Sequence, residues 1–524
     1  MPTSRLHRST IASAARVCLA VVLTCPFVHL GCVLEPSPLG EFPSDSDTAG
    51  PGEGDTLVVT SQHVDGTTFE PTPTTTFDPV TTGDPIDETT GEPATTGDDP
   101  PPESGCIDGG ACDQLDVLFV IDNSGTMGEE QSQLADSFPA FVKLLRGLSD
   151  ANGQLVGADV HIMVTTTDVP HPLCTPFEKP DYDAADGEPI ETPCTDRLAR
   201  FTGLGADPPV MSEICTSRCS EAAPSVPTDP FIHFNPTTHN VIDPDGMGDP
   251  AADALACIGP QGIDGCGMES PLEAMLRALD LEARWNGGER PFLRPGAPLA
   301  VVLVTDETDC STLNFAYFDP KLADDPEFSK YWPRDPDSGD KSEPTSAVCW
   351  NAGMTCADDD NDGVFEWCMS EDKQVLHPVA RYTQALADLR RLHGKDVVML
   401  VLGGVPRVTA HNEAPPFEPV AGGVDALVYR PWLPEDILPG DTDTPAQKQF
   451  EFGIGPGCVG PAGQAVPPGR IQEVCQSLDL PDDPDTAFNE RAVRCCIESV
   501  CDSDYTAALG CLAGMLQPTL QAMP

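Results

Sequence analysis

The sequence predicts an α/β protein in which a doubly wound, mostly parallel sheet is covered by helices on both faces. Three apolar runs rich in β-branched residues have the character of strands buried on both sides, and helical patterns separate them. Alternating strands and helices form right-handed β-α-β crossovers, which place the strands in one parallel sheet. The runs are 115–121, 298–304 and 396–402, with a further strand at 158–164.

Helical patterns lie between and after these strands. Residues 129–148 carry apolar side chains on one face, with Pro139 as the expected site of a kink. Ser270, Pro271 and Glu273 form a capping-box start for a helix that should run to about Trp285. Further helices are predicted at 377–392, 470–478, 489–500 and 507–515, and a short strand near 231–234.

The N-terminus has the features of an export signal. Three arginines precede an apolar stretch at 17–30, which is too short to predict a membrane span. Leu30-Gly31-Cys32 then resembles the lipobox of bacterial lipoproteins, in which the cysteine is acylated, although His29 stands where that family usually has Leu. We expect residues 1–31 to be a signal peptide and Cys32 to carry a lipid at the outer membrane or cell surface. Simple secretion, or a periplasmic location, is the alternative.

Residues 32–105 differ in composition from the rest of the chain. They are rich in Thr, Pro, Gly, Asp and Glu, lack Lys and Arg, and repeat a Thr-Thr-Gly-acid unit. Few aromatic residues and a single sign of charge give no basis for a packed core, so a disordered N-terminal linker or tether is predicted. The remainder, 106–524, is predicted to be one domain with cysteine-rich insertions at about 169–262, 307–372 and 405–469.

The cysteines indicate an oxidising compartment. Of 21 cysteines, three lie in the signal region, which leaves 18 from Cys106 to Cys511. An even number in an exported chain predicts a disulfide framework. Zinc is the alternative, but the repeated Cys-x2-Cys halves and the His spacing of zinc sites do not occur in the sequence. Cys356–Cys368 and Cys106–Cys112 are near enough in sequence to form local bonds.

The formal net charge of −56 restricts the partners. Such a surface repels nucleic acid phosphates and anionic lipid head groups, so neither is an expected partner. Membrane contact is expected only through the lipid on Cys32. Bound cations suit this chain better.

Oxygen-bearing side chains follow two of the buried strands. The first strand leads into Asp122, Ser124 and Thr126, which alternate along one short loop, and strand 298–304 leads into Asp306. Because the carboxyl ends of parallel strands share one edge of a sheet, these oxygens can gather around one ion. Hard divalent cations prefer oxygen ligands. The alternative is an ordinary Asp/Asn/Gly turn after a strand.

This pattern resembles the metal-ion-dependent adhesion site of von Willebrand factor type A domains, whose first motif is Asp-x-Ser-x-Ser/Thr after a buried strand. The resemblance covers roughly 106–402 and implies a Rossmann-like von Willebrand A fold. It also implies Mg²⁺, or Ca²⁺ or Mn²⁺, at the site. Asp306 matches the third motif, in which the Asp usually holds the ion through water. The long insertions do not belong to the minimal domain of that family.

The chain departs from the family at the second motif, which normally supplies a Thr just before a helix. Alignment of the helices places Glu269 there. A Glu ligand supplies more negative charge than Thr and weakens the pull of the ion on a partner's carboxylate. We expect Glu269 to bind directly or through water, with Thr166 or Thr167 as alternatives that complete the shell. A solvated acid, favoured by the helix dipole, is the other interpretation.

A second cation site is predicted between Cys356 and Cys368. Asp358, Asp360, Asp362 and Gly363 match the first half of an EF-hand-type Ca²⁺ loop, and Glu366 can act directly or through water. The closing bidentate Glu is missing, because Met369 occupies position twelve. A solvated acidic turn is the alternative.

Together these features predict a non-enzymatic adhesion or binding module, anchored to the cell envelope as a monomer. The ion at Asp122 would recognise an exposed carboxylate of a protein ligand. A structural envelope protein with a purely stabilising cation is the alternative. A metal-assisted hydrolase is the least expected, because the sequence contains neither His-Glu-x-x-His nor Gly-x-Ser-x-Gly. A distant partner for Ser124, such as His161, stays open.

Overall fold

A computed structural model describes residues 112–174, 183–202, 211–244, 246, 248–341, 343–460, 463–479 and 492–520. The predicted signal peptide, the lipidation site at Cys32, the linker at 32–105 and Cys106 lie outside these residues. The strands and helices named below all belong to the described part of the chain.

The strands, in chain order, include six that form a central sheet and eight that form four two-stranded sheets. They are β1 (Gln114–Ile121), β2 (Asp159–Thr166), β3 (Val226–Pro227), β4 (Ile232–Phe234), β5 (Val241–Ile242), β6 (Leu299–Val304), β7 (Met354–Ala357), β8 (Trp367–Ser370), β9 (Val397–Gly403), β10 (Ala410–His411), β11 (Pro419–Ala421), β12 (Cys458–Gly460), β13 (Gly463–Ala465) and β14 (Cys495–Ser499).

The α-helices are distributed along the whole described chain, with short 3₁₀ helices in the insertions. The α-helices are α1 (Gly128–Arg146), α2 (Glu213–Thr216), α3 (Pro250–Ile258), α4 (Pro271–Ala278), α5 (Ala347–Gly353), α6 (Val379–His393), α7 (Pro445–Phe452), α8 (Gly469–Gln476) and α9 (Thr506–Leu516). The 3₁₀ helices are Cys194–Phe201, Phe315–Phe318, Pro320–Leu322, Gly423–Ala426 and Pro434–Asp436.

The central sheet has six strands in the order β14-β9-β6-β1-β2-β4. Every pairing is parallel except that of β4, which runs antiparallel to β2 at one edge. This confirms the predicted α/β class with a mostly parallel sheet, and the short strand expected near 231–234.

Helices cover both faces of the sheet. Successive side chains of a strand point to opposite sides, so each central strand contributes to a core on either face. Val117, Phe119 and Ile121 of β1 belong to a core shared with α1, α3 and α9. Leu118 and Val120 belong to a second core shared with α4, α6 and α8. Both faces are therefore buried, which explains the nearly continuous apolar runs in the sequence.

Two predictions about the elements were wrong. Part of the helix expected at 489–500 is the strand β14, which pairs with β9 in parallel register. Its neighbouring cysteines are tied to helices on opposite faces, by Cys475–Cys495 to α8 and by Cys496–Cys511 to α9. Residues 489–491 lie outside the described part.

The helix that begins at Pro271 is also shorter than predicted and is capped differently. It ends at Ala278, whose carbonyl accepts a hydrogen bond from the Trp285 indole. The Ser270 side chain does not cap it. Asp309 and Ser311, from the segment after β6, accept the N–H groups of Leu272 and Glu273 instead.

Disulfides lie within the insertions, between the insertions and the α/β body, and within the body, and their number is consistent with an exported protein. The predicted local bond between Cys356 and Cys368 is confirmed. The others described are Cys174–Cys266, Cys194–Cys215, Cys219–Cys257, Cys310–Cys349, Cys458–Cys501, Cys475–Cys495 and Cys496–Cys511. No helix in the described residues has the length and apolar character that crossing a membrane requires.

Candidate metal centre

The candidate site lies where the direction of the sheet order reverses. From β1 the chain adds β2 on one side and later β6 on the other, and the helices that follow these two neighbouring strands, α1 and α6, lie on opposite faces of the sheet. In open α/β sheets such a switch point is the usual place for a ligand. The loops after these two strands supply Asp122 and Asp306.

The loop after β1 is held in a tight turn by its own side chains. Oδ1 of Asp122 accepts the backbone N–H of Ser124 at 2.8 Å, and the hydroxyl oxygens of Ser124 and Thr126 are 3.3 Å apart. Asp122 and Ser124 are buried, whereas Thr126 is exposed. The alternation in the sequence therefore brings the three side chains together, with Thr126 on the solvent side.

The buried side chain of Gln131 holds this loop in place. The side-chain amide of Gln131 donates to the carbonyl oxygen of Asp122 at 2.9 Å and to that of Gly262 at 2.6 Å. Its oxygen accepts the backbone N–H groups of Gln261 and Gly262. The first insertion thus helps to position the predicted ligands.

Glu269 reaches the same place from the segment before α4. It is fully buried, and burial, followed by the charge of Asp122, raises the pKa of its carboxyl. The hydroxyl of Thr167 donates to its Oε2, while its Oε1 has no hydrogen-bond partner. Thr166 is occupied differently, because its hydroxyl accepts the backbone N–H of Asp168. Of the two threonines considered as alternatives, Thr167 is the one that contacts the site.

Asp306 follows β6 and faces the loop after β1. It is 4% exposed, its Oδ1 has no hydrogen-bond partner, and burial, followed by the charge of Asp122, raises its pKa. Its carbonyl accepts the backbone N–H of Val466 at 2.8 Å. Asp306 therefore belongs to the same cluster as Asp122, and it also contacts the insertion at 405–469.

Two further buried acids, Glu130 and Glu307, were missed by the sequence analysis. Both carboxylate oxygens of Glu130 are buried without a hydrogen-bond partner. The sequence contained one sign that Glu130 is buried, because it is four residues before Leu134 and therefore lies on the apolar face of α1. Acids in the first turn of a helix are also favoured by the helix dipole, so this position alone does not indicate burial.

Negative charge is concentrated in the cluster of five buried acids, which are Asp122, Glu130, Glu269, Asp306 and Glu307. Burial raises the pKa of Asp122, Glu269, Asp306 and Glu307, and it raises that of Glu130 to about 10. Repulsion between the acids adds to this effect for all of them except Asp122. In the described part of the chain, none of the five forms an ion pair with Lys or Arg.

The donor set fits a hard divalent cation. Buried carboxylates are normally paired or coordinate a metal, and here several of their oxygens have no other partner. All the candidate ligands are oxygens, which is the preference of Mg²⁺, Ca²⁺ and Mn²⁺. Such an ion would supply the missing positive charge and leave a coordination position for an outside ligand.

The predicted Ca²⁺ loop forms a compact turn between β7 and β8. Asp358 accepts the backbone N–H groups of Asp362 and Gly363, and Asp362 accepts that of Val364. Glu366 accepts the N–H of Asp359 with both oxygens. Asp360 is exposed. The carboxylates thus stabilise the turn, and binding of Ca²⁺ there stays a prediction.

One group of three side chains in the described residues has metal-ligating atoms that all lie within 4.8 Å of one another: Asp159, His161 and His233. It was not predicted, although Asp159 and His161 share one face of β2 and His161 is opposite His233 on β4. Asp159 also pairs with Arg294 at 2.5 Å, and this guanidinium disfavours a cation. Burial, followed by the charge of Arg294, lowers the pKa of His161 to about 4.

This group is distinct from the Asp122 cluster. The three carboxyls of Asp122, Glu269 and Asp306 do not all lie within 4.8 Å of one another, so a shared ion would need the hydroxyls or water to complete its shell.

Comparison of the chain with known protein families, with curated proteins and with solved structures finds no match.

Proposed function

We propose that the chain is a divalent-cation-dependent binding module with a von Willebrand A-like fold, which recognises an acidic group of a partner protein. The ion would be held by Asp122, Ser124, Thr126, Glu269 and Asp306. The observation that carries the proposal is a set of buried carboxylates at the switch point of the sheet, which form no ion pair with Lys or Arg among the described residues.

The accessible side of the cluster supports an outside ligand. Asp122 and Glu269 are fully buried, whereas Thr126 is exposed. A cavity lined by Thr126 and Asp306 opens beside them. A partner's carboxylate would approach the ion from this side and fill a coordination position that protein atoms leave open.

Glu269 has a specific role in this proposal. Thr167 donates to its Oε2, and its Oε1, which has no hydrogen-bond partner, would bind the ion or a water on it. The extra negative charge favours tight ion binding and a weaker pull on the partner's carboxylate than a Thr ligand would give. The Ser124 hydroxyl contacts Thr126 and serves as a ligand in this account, not as a nucleophile.

We also propose that the module is anchored to the outer membrane or cell surface by a lipid on Cys32. The framework of disulfides is consistent with export. Mass spectrometry of the mature N-terminus tests the anchor. An acylated Cys32 is expected, and a free amine beyond residue 32 would contradict it and favour secreted or periplasmic protein.

The binding proposal is tested by affinity capture from envelope fractions, with Mg²⁺ or with EDTA. We expect a partner that is captured only with the cation. Asp122→Ala should lose it, whereas Asp324→Ala, at an exposed acid far along the chain, should keep it. Capture by Asp122→Ala at the wild-type level would contradict the mechanism.

A purely stabilising ion is the second candidate, favoured by the burial of the carboxylates. In that case EDTA would lower the thermal stability of the protein but leave every captured partner in place. A chelator-sensitive partner separates the two functions.

A further inference from the structure

A second group of metal-ligating side chains lies at the opposite end of the sheet from the candidate metal centre. It consists of Asp159 and His161 on β2 and His233 on β4, and one ligating atom of each lies within 4.8 Å of the other two. Asp159 is level with Gln114, at the start of β1, whereas Asp122 follows the end of that strand. The length of the strand, about 23 Å, separates the two places. We call the group the edge triad, because β4 is an edge strand of the sheet.

The imidazole of His161 is already held in the way that is usual for a metal-binding histidine. Its Nδ1 lies 3.2 Å from the carbonyl oxygen of Phe292, and its ring stacks on Phe231 with centroids 4.2 Å apart. A carbonyl oxygen only accepts, so this contact places the hydrogen on Nδ1 and the lone pair on Nε2. A histidine that binds a metal usually donates its other ring N–H to such an oxygen. Nε2 of His161 is therefore the nitrogen that would bind an ion.

His233 and Asp159 supply two further ligands on the side of the edge triad that is open to solvent. Nε2 of His233 lies 3.2 Å from Oδ2 of Asp159. Two ligands that each bind one tetrahedral Zn²⁺ at about 2.0–2.1 Å are separated by about 3.3 Å, so this spacing already fits. The side chains of His233 and Asp159 are 27% and 24% exposed, whereas that of His161 is 10% exposed. An ion would enter from the exposed side, where a water would complete four ligands.

Arg294 determines which class of cation the edge triad can take. Its guanidinium binds Oδ1 of Asp159 and lies 2.8 Å from Asp116, which also pairs with Lys395. The two positive and two negative side chains cancel, which disfavours Mg²⁺ and Ca²⁺, because these cations are bound mainly by negatively charged oxygens. Two imidazole nitrogens and one carboxylate oxygen instead suit Zn²⁺ and related transition metals.

We propose that the edge triad is a Zn²⁺ site, in which the ligands are Nε2 of His161, Nε2 of His233, Oδ2 of Asp159 and a water. The ion takes the place of the hydrogen that His233 shares with Asp159, and this hydrogen leaves to solvent as a proton. β4 belongs to the insertion at 169–262 and pairs with β2 through three residues. The ion therefore joins this insertion to the sheet, and the site does not depend on the proposed function.

Calorimetric titration of the full chain with Zn²⁺ tests the assignment, in excess Mg²⁺ so that sites made of oxygens are occupied. The wild type should bind Zn²⁺. His233→Gln keeps a hydrogen-bond donor for Asp159 but lacks the imidazole, and it should weaken this binding at least about tenfold, the lower end of the effect of losing even an outer partner. His239→Ala, at an exposed imidazole of the same insertion, should preserve the affinity.

Thermal unfolding gives a second measurement. Zn²⁺ should raise the unfolding temperature of the wild type but not that of His233→Gln, because an ion that binds only the folded chain stabilises it. Circular dichroism of the metal-free variant checks that it is folded. The wild type loaded with Co²⁺ tests the ligands without any substitution. Strong visible absorption of a four-coordinate ion is expected, and the weak absorption of a hydrated six-coordinate ion would contradict the site.

The outcomes separate this inference from the proposed function. Asp122→Ala should keep the Zn²⁺ affinity, and a chain that binds no Mg²⁺ would leave the edge triad unaffected. If the wild type binds no Zn²⁺, or if the wild type and His233→Gln bind it equally, the inference is wrong and the edge triad is only a hydrogen-bonded contact between β2 and β4. An equal loss of affinity in His239→Ala would also overturn it.

Discussion

The hydroxyl of Thr305, at the end of β6, donates a 2.5 Å hydrogen bond to Oδ2 of Asp122, at the end of β1. Because Oδ1 of Asp122 accepts the backbone N–H of Ser124, both oxygens of this carboxylate are fixed by the protein. A ligand held in place before binding loses less freedom when the ion arrives. The two strands therefore prepare the candidate site jointly.

Replacing Thr305 by Val should weaken Mg²⁺ binding about tenfold, the lower end of the effects of groups that orient metal ligands. Isothermal titration calorimetry measures the change. Thr308→Val is the matched control, because the Thr308 hydroxyl is buried without a hydrogen-bond partner. It should keep the Mg²⁺ affinity and leave the unfolding free energy equal or higher. Wild-type affinity in Thr305→Val would show that this hydrogen bond does not position Asp122.

The metal-free protein should lose stability as the pH rises. The pKa of Glu130 is raised from 4.5 to about 10, chiefly by burial. Between these values the folded chain holds a proton that the unfolded chain has released. The free energy of unfolding therefore decreases with rising pH, by up to about 1.4 kcal/mol per pH unit from this group. Urea unfolding in EDTA at about pH 5, 7 and 9 measures the slope.

Glu130→Gln should flatten that slope, because the amide does not titrate. Glu129→Gln is the adjacent control, since Glu129 is exposed, and it should leave the slope nearly unchanged. Adding Mg²⁺ to the wild-type protein should also reduce the slope, because the ion favours the charged carboxylates near it. Equal slopes for the wild type and Glu130→Gln would contradict the burial of an uncompensated acid there.

The loop closed by Cys356 and Cys368 predicts a separate Ca²⁺ site. Asp360 is exposed and is not used in the turn that Asp358 and Asp362 form, so its replacement by Ala should spare the fold. In a Ca²⁺ titration, Asp360→Ala should bind one ion fewer per chain than the wild type. An unchanged stoichiometry would leave this loop as a solvated acidic turn.

A buried ion pair at the other end of β1 should affect stability without affecting the metal centre. Lys395 is 2% exposed, and its Nζ lies 2.7 Å from Oδ2 of the fully buried Asp116. Lys395→Met should lower the unfolding free energy by about 3 kcal/mol, since it leaves a buried charge less compensated. The exposed control Lys321→Met should change it by less than about 0.5 kcal/mol. A loss of Mg²⁺ affinity in Lys395→Met would show that this ion pair is coupled to the metal centre, which we do not expect.

The strands buried on both faces were predictable, because a short continuous apolar run between helical patterns is compatible with few structures other than a buried strand. Residues 115–121 were predicted and Gln114–Ile121 are observed. β14 was mistaken for a helix, because what makes Cys495–Ser499 a strand is not local. Its partner β9 is almost a hundred positions earlier in the chain, and disulfides to α8 and α9 hold it in place.

The candidate site was predictable only where it follows strand ends. Asp122 and Asp306 were expected to meet because parallel neighbouring strands end at one edge, and the Thr305 hydrogen bond joins their loops. The burial of Glu130 depends on the β12–β13 hairpin, which is distant in sequence, since Gly463 packs so closely on Oε1 of Glu130 that a Cβ there would clash with it. The Asp159, His161 and His233 group depends on the β2–β4 pairing, which no local pattern specifies.

Direct measurement of Mg²⁺ binding tests the central claim most closely. Calorimetry of the wild type should detect a site with a Kd below about 1 mM, which corresponds to a binding free energy of about −4.1 kcal/mol for a 1 M standard state. Asp122→Ala and Asp306→Ala should lose it, and Asp324→Ala should retain it. If Asp122→Ala binds Mg²⁺ with the wild-type affinity and stoichiometry, the ends of β1 and β6 do not form the metal centre.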